Sequence, residues 1–294
     1  MEVLNNIIHG DIRDVAKDLQ NDSVQAIITS PPYLGLRKYG KESNEIRKEI
    51  GREKNVELYV ENLVEVFEKL KPILKSDGTL WVNLGDSYID SNLQGVPWRF
   101  ALKMQDKGWI LRSDIIWHKP NAMPSSVKNR PTTDHEYIFL FSKNKKYYYD
   151  ADAIREEHIT FTDKSKMKGG RNHIGKINGT PEMGKNKGNS NLHRGRWDQA
   201  FNPLGRNKRT VWNIPVARFK GAHFAVFPEK LVETCLLAST KENDTVLDPF
   251  FGSGTTGLVS LNHNRKFIGV ELIKEYVDLA KERIKDEKNQ LKFF

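Results

Sequence analysis

The chain has 294 residues and a single cysteine, Cys235. One thiol makes no internal disulfide and builds no Cys-rich metal site, so no metal centre is expected. Long apolar runs are missing as well. No stretch approaches the roughly 18 apolar residues of a membrane span. The opening residues, Met1 to Asn6, lack the basic-then-apolar pattern of a secretory leader. The expected location is the cytoplasm, with no membrane partner. Apolar residues make up 38% and charged residues 29%. That composition suits a soluble globular protein with a sizeable core and one or two domains.

Acids are scarce in one place only. Between Asp163 and Arg209 stand twelve Lys or Arg against three acids, Asp163, Glu182 and Asp198, which is the whole of the net charge of +9. A basic block inside an otherwise balanced chain is a footprint for a polyanion. The plainer reading is a solvated basic loop without a partner. Apolar periodicity is absent from the block, and a segment this long without regular structure is more often functional or disordered than a connector. Asn189 to Pro203 interleaves His193, Arg194, Arg196, Trp197 and Phe201, which suits contact with phosphate together with base or sugar.

Outside the block, strands and helices alternate. Asn6 to Gly10 reads as a strand, Arg13 to Leu19 as a short helix, and Val24 to Thr29 as a buried strand. Residues 34–55 read as a mobile loop over the strand ends. Val56 to Leu74 has a helical period that includes Leu58, and Asp77-Gly78 breaks it. Strands follow at Thr79–Leu84, Trp109–Trp117 and Glu136–Ser142, with a helix at Trp98–Lys107 between the first two. After the block come a helix at Glu229–Ser239, a strand at Thr245–Leu247, a helix at Gly257–Asn262, a strand at Phe267–Val270 and a closing helix at Tyr276–Ile284. The alternation points to a doubly wound α/β sheet.

Two stretches carry chemistry. The first is Thr29-Ser30-Pro31-Pro32-Tyr33, where a buried strand stops at a Pro-Pro pair. Each Pro fixes its own φ and restricts the residue before it, so this end is rigid. It offers a hydroxyl, backbone carbonyls and an aromatic face, a set that suits a planar base with an exocyclic amino group. The plainer reading is a strand-to-loop turn with a surface Tyr. The second is Asp248-Pro249-Phe250-Phe251-Gly252-Ser253-Gly254-Thr255-Thr256, a strand end running into a Gly-rich turn that opens a helix. Such a turn lets a ligand approach the backbone and meet free N–H groups. Glu271 stands at the next strand end, seventeen residues beyond Gly254, where an acid can accept from ribose hydroxyls. Residues 252–257 also satisfy the loose G-x-G-x-x-G pattern of a dinucleotide site. Against that reading, few residues remain for a second half, and Asp248 would oppose a pyrophosphate but welcome an amine.

These motifs together resemble the amino-group DNA methyltransferases, which methylate the exocyclic nitrogen of cytosine or adenine from S-adenosyl-L-methionine (SAM). Thr29 to Tyr33 resembles the family's catalytic motif, Asp248 to Gly254 its cofactor motif, and Ile268-Gly269-Val270-Glu271 its ribose-binding strand. Ala222 to Pro228 resembles the segment over the methionine portion, and Gly10-Asp11 the strand end that meets the adenine. The catalytic motif comes first, as in the subgroup called beta.

The resemblance implies a circularly permuted, mostly parallel sheet of the SAM-dependent methyltransferase type with an inserted target-recognition region. Residues 1–155 would be the catalytic half, 156–210 the recognition region and 211–294 the cofactor half. Residues 6–9 would lie at one sheet edge, and 245–247 beside 25–29. It implies catalytic roles for Ser30, Pro31, Pro32 and Tyr33. It implies cofactor contacts from Asp11, Ile12, His223, Phe224, Asp248, Phe250, Gly252, Gly254, Thr255, Thr256 and Glu271. The expected DNA contacts are Lys185 and Lys187 on phosphate, and Arg194, Arg196 and Trp197 in a groove. Double-stranded DNA is the implied partner, and a restriction endonuclease acting on the same site is a candidate companion. Ser at position 30 resembles the members that methylate cytosine N4, with adenine N6 as the alternative. Readings from other classes are a nicotinamide-dependent oxidoreductase and a non-catalytic DNA-binding module.

Overall fold

A computed structural model describes residues 4–35, 49–157, 204–216 and 227–290. The chain divides into two compact units, one of residues 1–150 with 210–294 and one of residues 151–209. In the second unit the described residues form a single 3-10 turn, Asp152–Ile154, and a bridge between Glu156 and Arg206. There Glu156 also pairs with the Arg206 and Lys208 side chains.

The first unit is built on strands β1 (Asn6–His9), β2 (Val24–Thr29), β3 (Leu74–Leu84), β6 (Ile110–His118), β7 (His135–Ser142), β8 (Val211–Asn213), β9 (Thr245–Asp248) and β10 (Lys266–Glu271). They form one sheet in the order β1-β10-β9-β2-β3-β7-β6-β8. Every pairing is parallel except those of β7, which runs against both neighbours. The permuted order is as expected: residues 6–9 lie at one edge and β9 lies beside β2. All six residues of β2 are buried, so its continuous apolar run is that of a strand covered on both faces.

The helices are α1 (Ile12–Val15), α2 (Val56–Leu70), α3 (Val96–Asp106), α4 (Glu229–Ser239), α5 (Thr255–Asn262) and α6 (Lys274–Gln290). α2 begins where the Asn55 side chain accepts from Leu58 N, a capped start. It buries Tyr59, Leu63, Val66, Phe67 and Leu70. Phe67 meets Phe100 of α3 edge-on at 5.6 Å, and Phe100 meets Phe141 of the sheet at 6.1 Å. A second apolar cluster joins Phe251, Phe267, Val277 and Ala280. Phe251 stacks on Phe267 at 5.5 Å. A β-carbon at Gly257 or Gly269 would come within 2.6 or 2.5 Å of the Phe251 ring. Those two glycines are therefore packing positions.

Several expected boundaries shift. α2 stops at Leu70, and β3 starts at Leu74, ahead of Asp77-Gly78. The pairing with β2 jumps from Val24↔Leu74 to Ala26↔Thr79, so Asp77-Gly78 sits in a bulge of the strand and does not precede it. Gly78 is required there, since a β-carbon would lie 2.8 Å from the Gln25 carbonyl oxygen. Leu58, counted in the apolar period, is exposed. The first helix is one α turn followed by a 3-10 turn, Ala16–Asp18. The loop expected over residues 34–55 falls largely outside the described residues, and its described end is packed, with Ile50 in the main core. The hairpin of β4 (Tyr88–Ile89) and β5 (Asn92–Leu93) was not expected. Its turn places Asp90 and Ser91 at φ 49° and 63°, a two-residue turn without the usual Asn-Gly signal. Cys235 is a buried core residue, and no described helix is long and apolar enough to cross a membrane.

Candidate active site

β2, β3, β9 and β10 end at one crevice, and β7, being antiparallel, brings its first residues there instead of its last. On the β2 side, the Pro32 carbonyl accepts from the Tyr59 hydroxyl at 2.8 Å, which fastens the Pro-Pro segment to α2. The Tyr33 ring packs against Gly85, where a β-carbon would sit 2.7 Å from Cε2. The Tyr33 hydroxyl donates to Glu136 Oε2 at 2.6 Å. Asn83, near the end of β3, donates from Nδ2 to Glu136 Oε2 at 3.0 Å and to the Tyr137 carbonyl at 3.2 Å. That orientation turns Asn83 Oδ1 toward the Ser30 and Tyr33 hydroxyls, 3.3 Å from each. Lys119 Nζ pairs with Glu136 Oε1 and lies 4.6 Å from the Trp117 ring centroid. Burial, followed by the Glu136 charge and hydrogen bond, holds the Tyr33 phenol well above its ordinary pKa. The hydroxyl therefore remains a proton donor at neutral pH.

The other side is built by β9, β10 and β1. Asp248 Oδ1 accepts from Thr29 Oγ1 at 2.6 Å and from Phe250 N at 3.1 Å. Its Oδ2 accepts from Thr256 Oγ1 at 2.7 Å. The carboxylate expected to welcome an amine is thus 3% exposed and bonded within the protein, where it ties the two strand ends to the start of α5. Gly252 and Gly254 adopt φ 52° and 84°, a left-handed conformation that glycine takes without strain. Gly252 N donates to Glu271 Oε2 and Ile273 N to Glu271 Oε1, each at 2.8 Å. Asp11 caps α1 by accepting from Arg13 N at 2.9 Å, and it pairs with the Arg13 guanidinium at 2.6 Å. Burial pushes Glu271 up to about 7 and Asp248 up to about 6, against the hydrogen bonds that favour their charged forms.

One cavity of about 420 Å³ opens between the two sides. Of the residues singled out in the sequence, Asp11, Ile12, Ser30, Pro31, Pro32, Tyr33, Asp248, Phe250, Gly252, Thr255, Thr256 and Glu271 line it. Gly254 does not line it; it caps α5 from behind, packed on Ala280 and Phe251. His223, Phe224, Lys185, Lys187, Arg194, Arg196 and Trp197 lie outside the described residues. The sequence reading missed Asn83, Trp117, Lys119 and Glu136, which also line the cavity. Two of them had a visible signal: Asn83 precedes the Leu84-Gly85-Asp86 strand end, and Lys119 follows β6. Glu136 had none, because nothing local says that β7 runs antiparallel.

A doubly wound α/β enzyme, with a nucleoside-type turn beside a rigid polar strand end, is the class that this fold and cavity define. The chain belongs to the DNA methylase family, which it matches over residues 24–282; it is a DNA amino-methyltransferase of the N6/N4 type. The type II methyltransferase M.Cfr9I of Citrobacter freundii is 41% identical over 96% of this chain and 88% of that protein. M.SmaI of Serratia marcescens is 40% identical over 95% of this chain and 90% of that protein. Among solved structures, the cytosine-N4-specific PvuII DNA methyltransferase aligns with a TM-score of 0.64 at 21% identity, covering 97% of this chain and 91% of that one. A complex of M1.HpyAVI with SAM aligns with a TM-score of 0.53 at 23% identity, covering 95% and 98%. The structural likenesses show the same overall fold. Family membership sets aside the oxidoreductase reading and the non-catalytic reading.

Proposed function

We propose that this enzyme methylates the exocyclic N4 of a cytosine flipped out of duplex DNA, using SAM. The observation that supports amino-methyl transfer is the Thr29–Asp248 bond, which holds the amine-accepting strand end beside the Gly-rich turn in one cavity; Ser at position 30 is what favours cytosine. When bound, SAM supplies a methyl group on a sulfonium, electrophilic enough for a weakly nucleophilic amine. The residues present fit it. Glu271 and the Gly252 turn would take the ribose end, Ile12, Phe250 and Ile273 would flank the adenine, and Asp248 would sit near the amino-acid end.

The protein's part is binding, orientation and polarisation. Tyr33, packed on Gly85 and with its hydroxyl tethered to Glu136, is held for stacking on a flipped base. Ser30 and the Pro31 carbonyl accept from the amino group, which directs the nitrogen lone pair away from the ring system and toward the cofactor. No covalent enzyme intermediate is needed, and Cys235, buried in α4, is no nucleophile for carbon-5 chemistry. Residues 163–209 would be the DNA-recognition block, with Lys185 and Lys187 on phosphate and Arg194, Arg196 and Trp197 toward the bases. A restriction endonuclease acting on the same site is the proposed companion, in keeping with the type II relatives. Adenine N6 remains the second reading, since both bases present an amino group to the same acceptors.

The test is transfer of labelled methyl from SAM to duplex DNA. Ser30→Ala and Tyr33→Ala should abolish transfer and leave SAM binding largely intact. Near-normal turnover by Tyr33→Ala would overturn the stacking role.

A further inference from the structure

The catalytic motif carries no carboxylate of its own: position 30 is Ser. A carboxylate nonetheless reaches it from another strand. Five acids line the cavity among the described residues: Asp11, Glu49, Glu136, Asp248 and Glu271. Asp11 is engaged by Arg13, Glu49 by Arg52, Asp248 by Thr29 and Thr256, and Glu271 by backbone N–H groups. Glu136 is the one that takes the Tyr33 hydroxyl, at 2.6 Å. Beyond Glu136, Tyr33 Oη has Asn83 Oδ1 at 3.3 Å and the Ser30 hydroxyl at 3.4 Å, and of these two only Ser30 can both take and pass a proton. A line of exchangeable protons therefore runs from the expected position of the amine to a carboxylate at the start of β7.

We propose that Glu136, acting through the Tyr33 and Ser30 hydroxyls, is the terminal acceptor of the proton that the exocyclic amine loses on methylation. The proposal rests on the amino-methyl transfer reading given above. Transfer forms the N–C bond as the sulfonium S–C bond breaks, leaving a neutral thioether and a positively charged nitrogen that still holds both hydrogens. One N–H bond then breaks, its electrons staying on nitrogen. The proton passes to Ser30 Oγ, the Ser30 proton to Tyr33 Oη, and the Tyr33 proton to Glu136 Oε2. Ser30 and Tyr33 end as they began, and Glu136 ends as a carboxylic acid that releases its proton to water.

The surroundings favour this direction. Asn83 cannot take the proton, because an amide oxygen is too weak a base. It holds the geometry instead, donating to Glu136 and presenting Oδ1 to both hydroxyls. Lys119 balances the charge of the carboxylate on the Oε1 side and leaves Oε2 to the relay. A negative charge at the end of the line also stabilises the cation that develops on nitrogen in the transition state, where a preorganised group costs no reorganisation. Glu136 is thus a positioning and proton-accepting residue; it does not need to touch the base.

The test uses the full-length enzyme in single turnover on a duplex substrate, with SAM and DNA affinities measured separately. Glu136→Gln keeps the size and the acceptor oxygen for Tyr33 but cannot take a proton. The expected result is a loss of about 100-fold in single-turnover rate, a usual share for a positioned proton acceptor, with both affinities within about threefold of the parent. Tyr33→Phe keeps the ring and cuts the line, so it should lose a similar factor, and the double variant should lose no more than either alone. Should Glu136→Gln fail to fold, Glu136→Ala with added formate replaces it, and a saturable rise in rate supports the relay. A parent-like rate in Glu136→Gln or Tyr33→Phe overturns it, as does Glu136→Ala that formate does not rescue. A parent enzyme that transfers no methyl to DNA would instead refute the underlying reading.

Discussion

Thr29 Oγ1 donates to Asp248 Oδ1 at 2.6 Å across 219 residues of sequence. Thr29 is the last residue of β2 and Asp248 the last of β9, and neither is more than 3% exposed. This buried bond adds a side-chain tie between two strands already paired at Ala26↔Val246 and Ile27↔Leu247, joining the proposed amine-binding end to the proposed cofactor-binding end. Thr29→Val preserves shape and removes the donor. The expected cost is about 1–3 kcal/mol of stability, for losing one of the buried carboxylate's hydrogen bonds while Phe250 N still serves Oδ1, together with weaker SAM binding. Chemical denaturation and calorimetric titration check both. A variant with parent stability and affinity would show that the two ends are positioned independently.

Gly269 and Gly257 are required by Phe251 and not by backbone conformation. Gly269→Ala places a β-carbon 2.5 Å from that ring, an overpacking that typically costs about 1–3 kcal/mol. Phe251→Leu in the same chain should recover part of the loss, read as a rise in thermal midpoint. No recovery in the double variant would place the strain elsewhere.

Glu271 gives a pH dependence of stated sign. Burial raises it from its ordinary 4.5 to about 7. The folded state therefore binds its proton more tightly than the unfolded state. This contribution to stability is present in full below about 4.5 and is lost as the pH rises through about 7. In the SAM-free protein, the parent should lose stability relative to Glu271→Gln between these values, by on the order of 3 kcal/mol. SAM affinity should move the other way, weakening as the pH falls below about 7, if the ribose hydroxyls donate to the charged form of Glu271 as proposed. Parallel stability curves for the two proteins would contradict the assignment.

Part of the sheet order was legible because the two motifs resemble a family with a permuted sheet, which implied residues 6–9 at one edge and 245–247 beside 25–29; the strand–helix alternation gave only the α/β class. Ser30 to Tyr33 and Asp248 to Glu271 could be read locally, since each is a strand end followed by special turn chemistry. Glu136 could not, and Lys119, though it follows a strand end, could not be assigned to the cavity. They reach the cavity through the reversed direction of β7 and its pairing with β3 and β6, a long-range fact with no local signature. The bulge at Asp77-Gly78 misled for the opposite reason: a strong turn signal was absorbed inside a strand by pairing with β2.

The basic block offers a separable prediction. Replacing residues 163–209 with a short Gly-Ser linker should leave SAM affinity intact. DNA affinity should fall steeply, and the residual binding should have a flatter salt dependence, about one unit of slope for each lost phosphate contact. Binding titrations across salt read both. Sequence-specific methylation surviving the replacement would return the block to the status of a solvated loop.

The central claim is that this cavity methylates the amino group of cytosine. Duplex DNA methylated by the enzyme from labelled SAM, digested to nucleosides and separated by mass spectrometry, tests it most directly. The expected product is N4-methyldeoxycytidine, absent when Ser30→Ala replaces the parent. N6-methyldeoxyadenosine would contradict the choice of base while keeping the chemistry. Label confined to carbon-5 of cytosine, or absent from DNA, would contradict the account of the site itself.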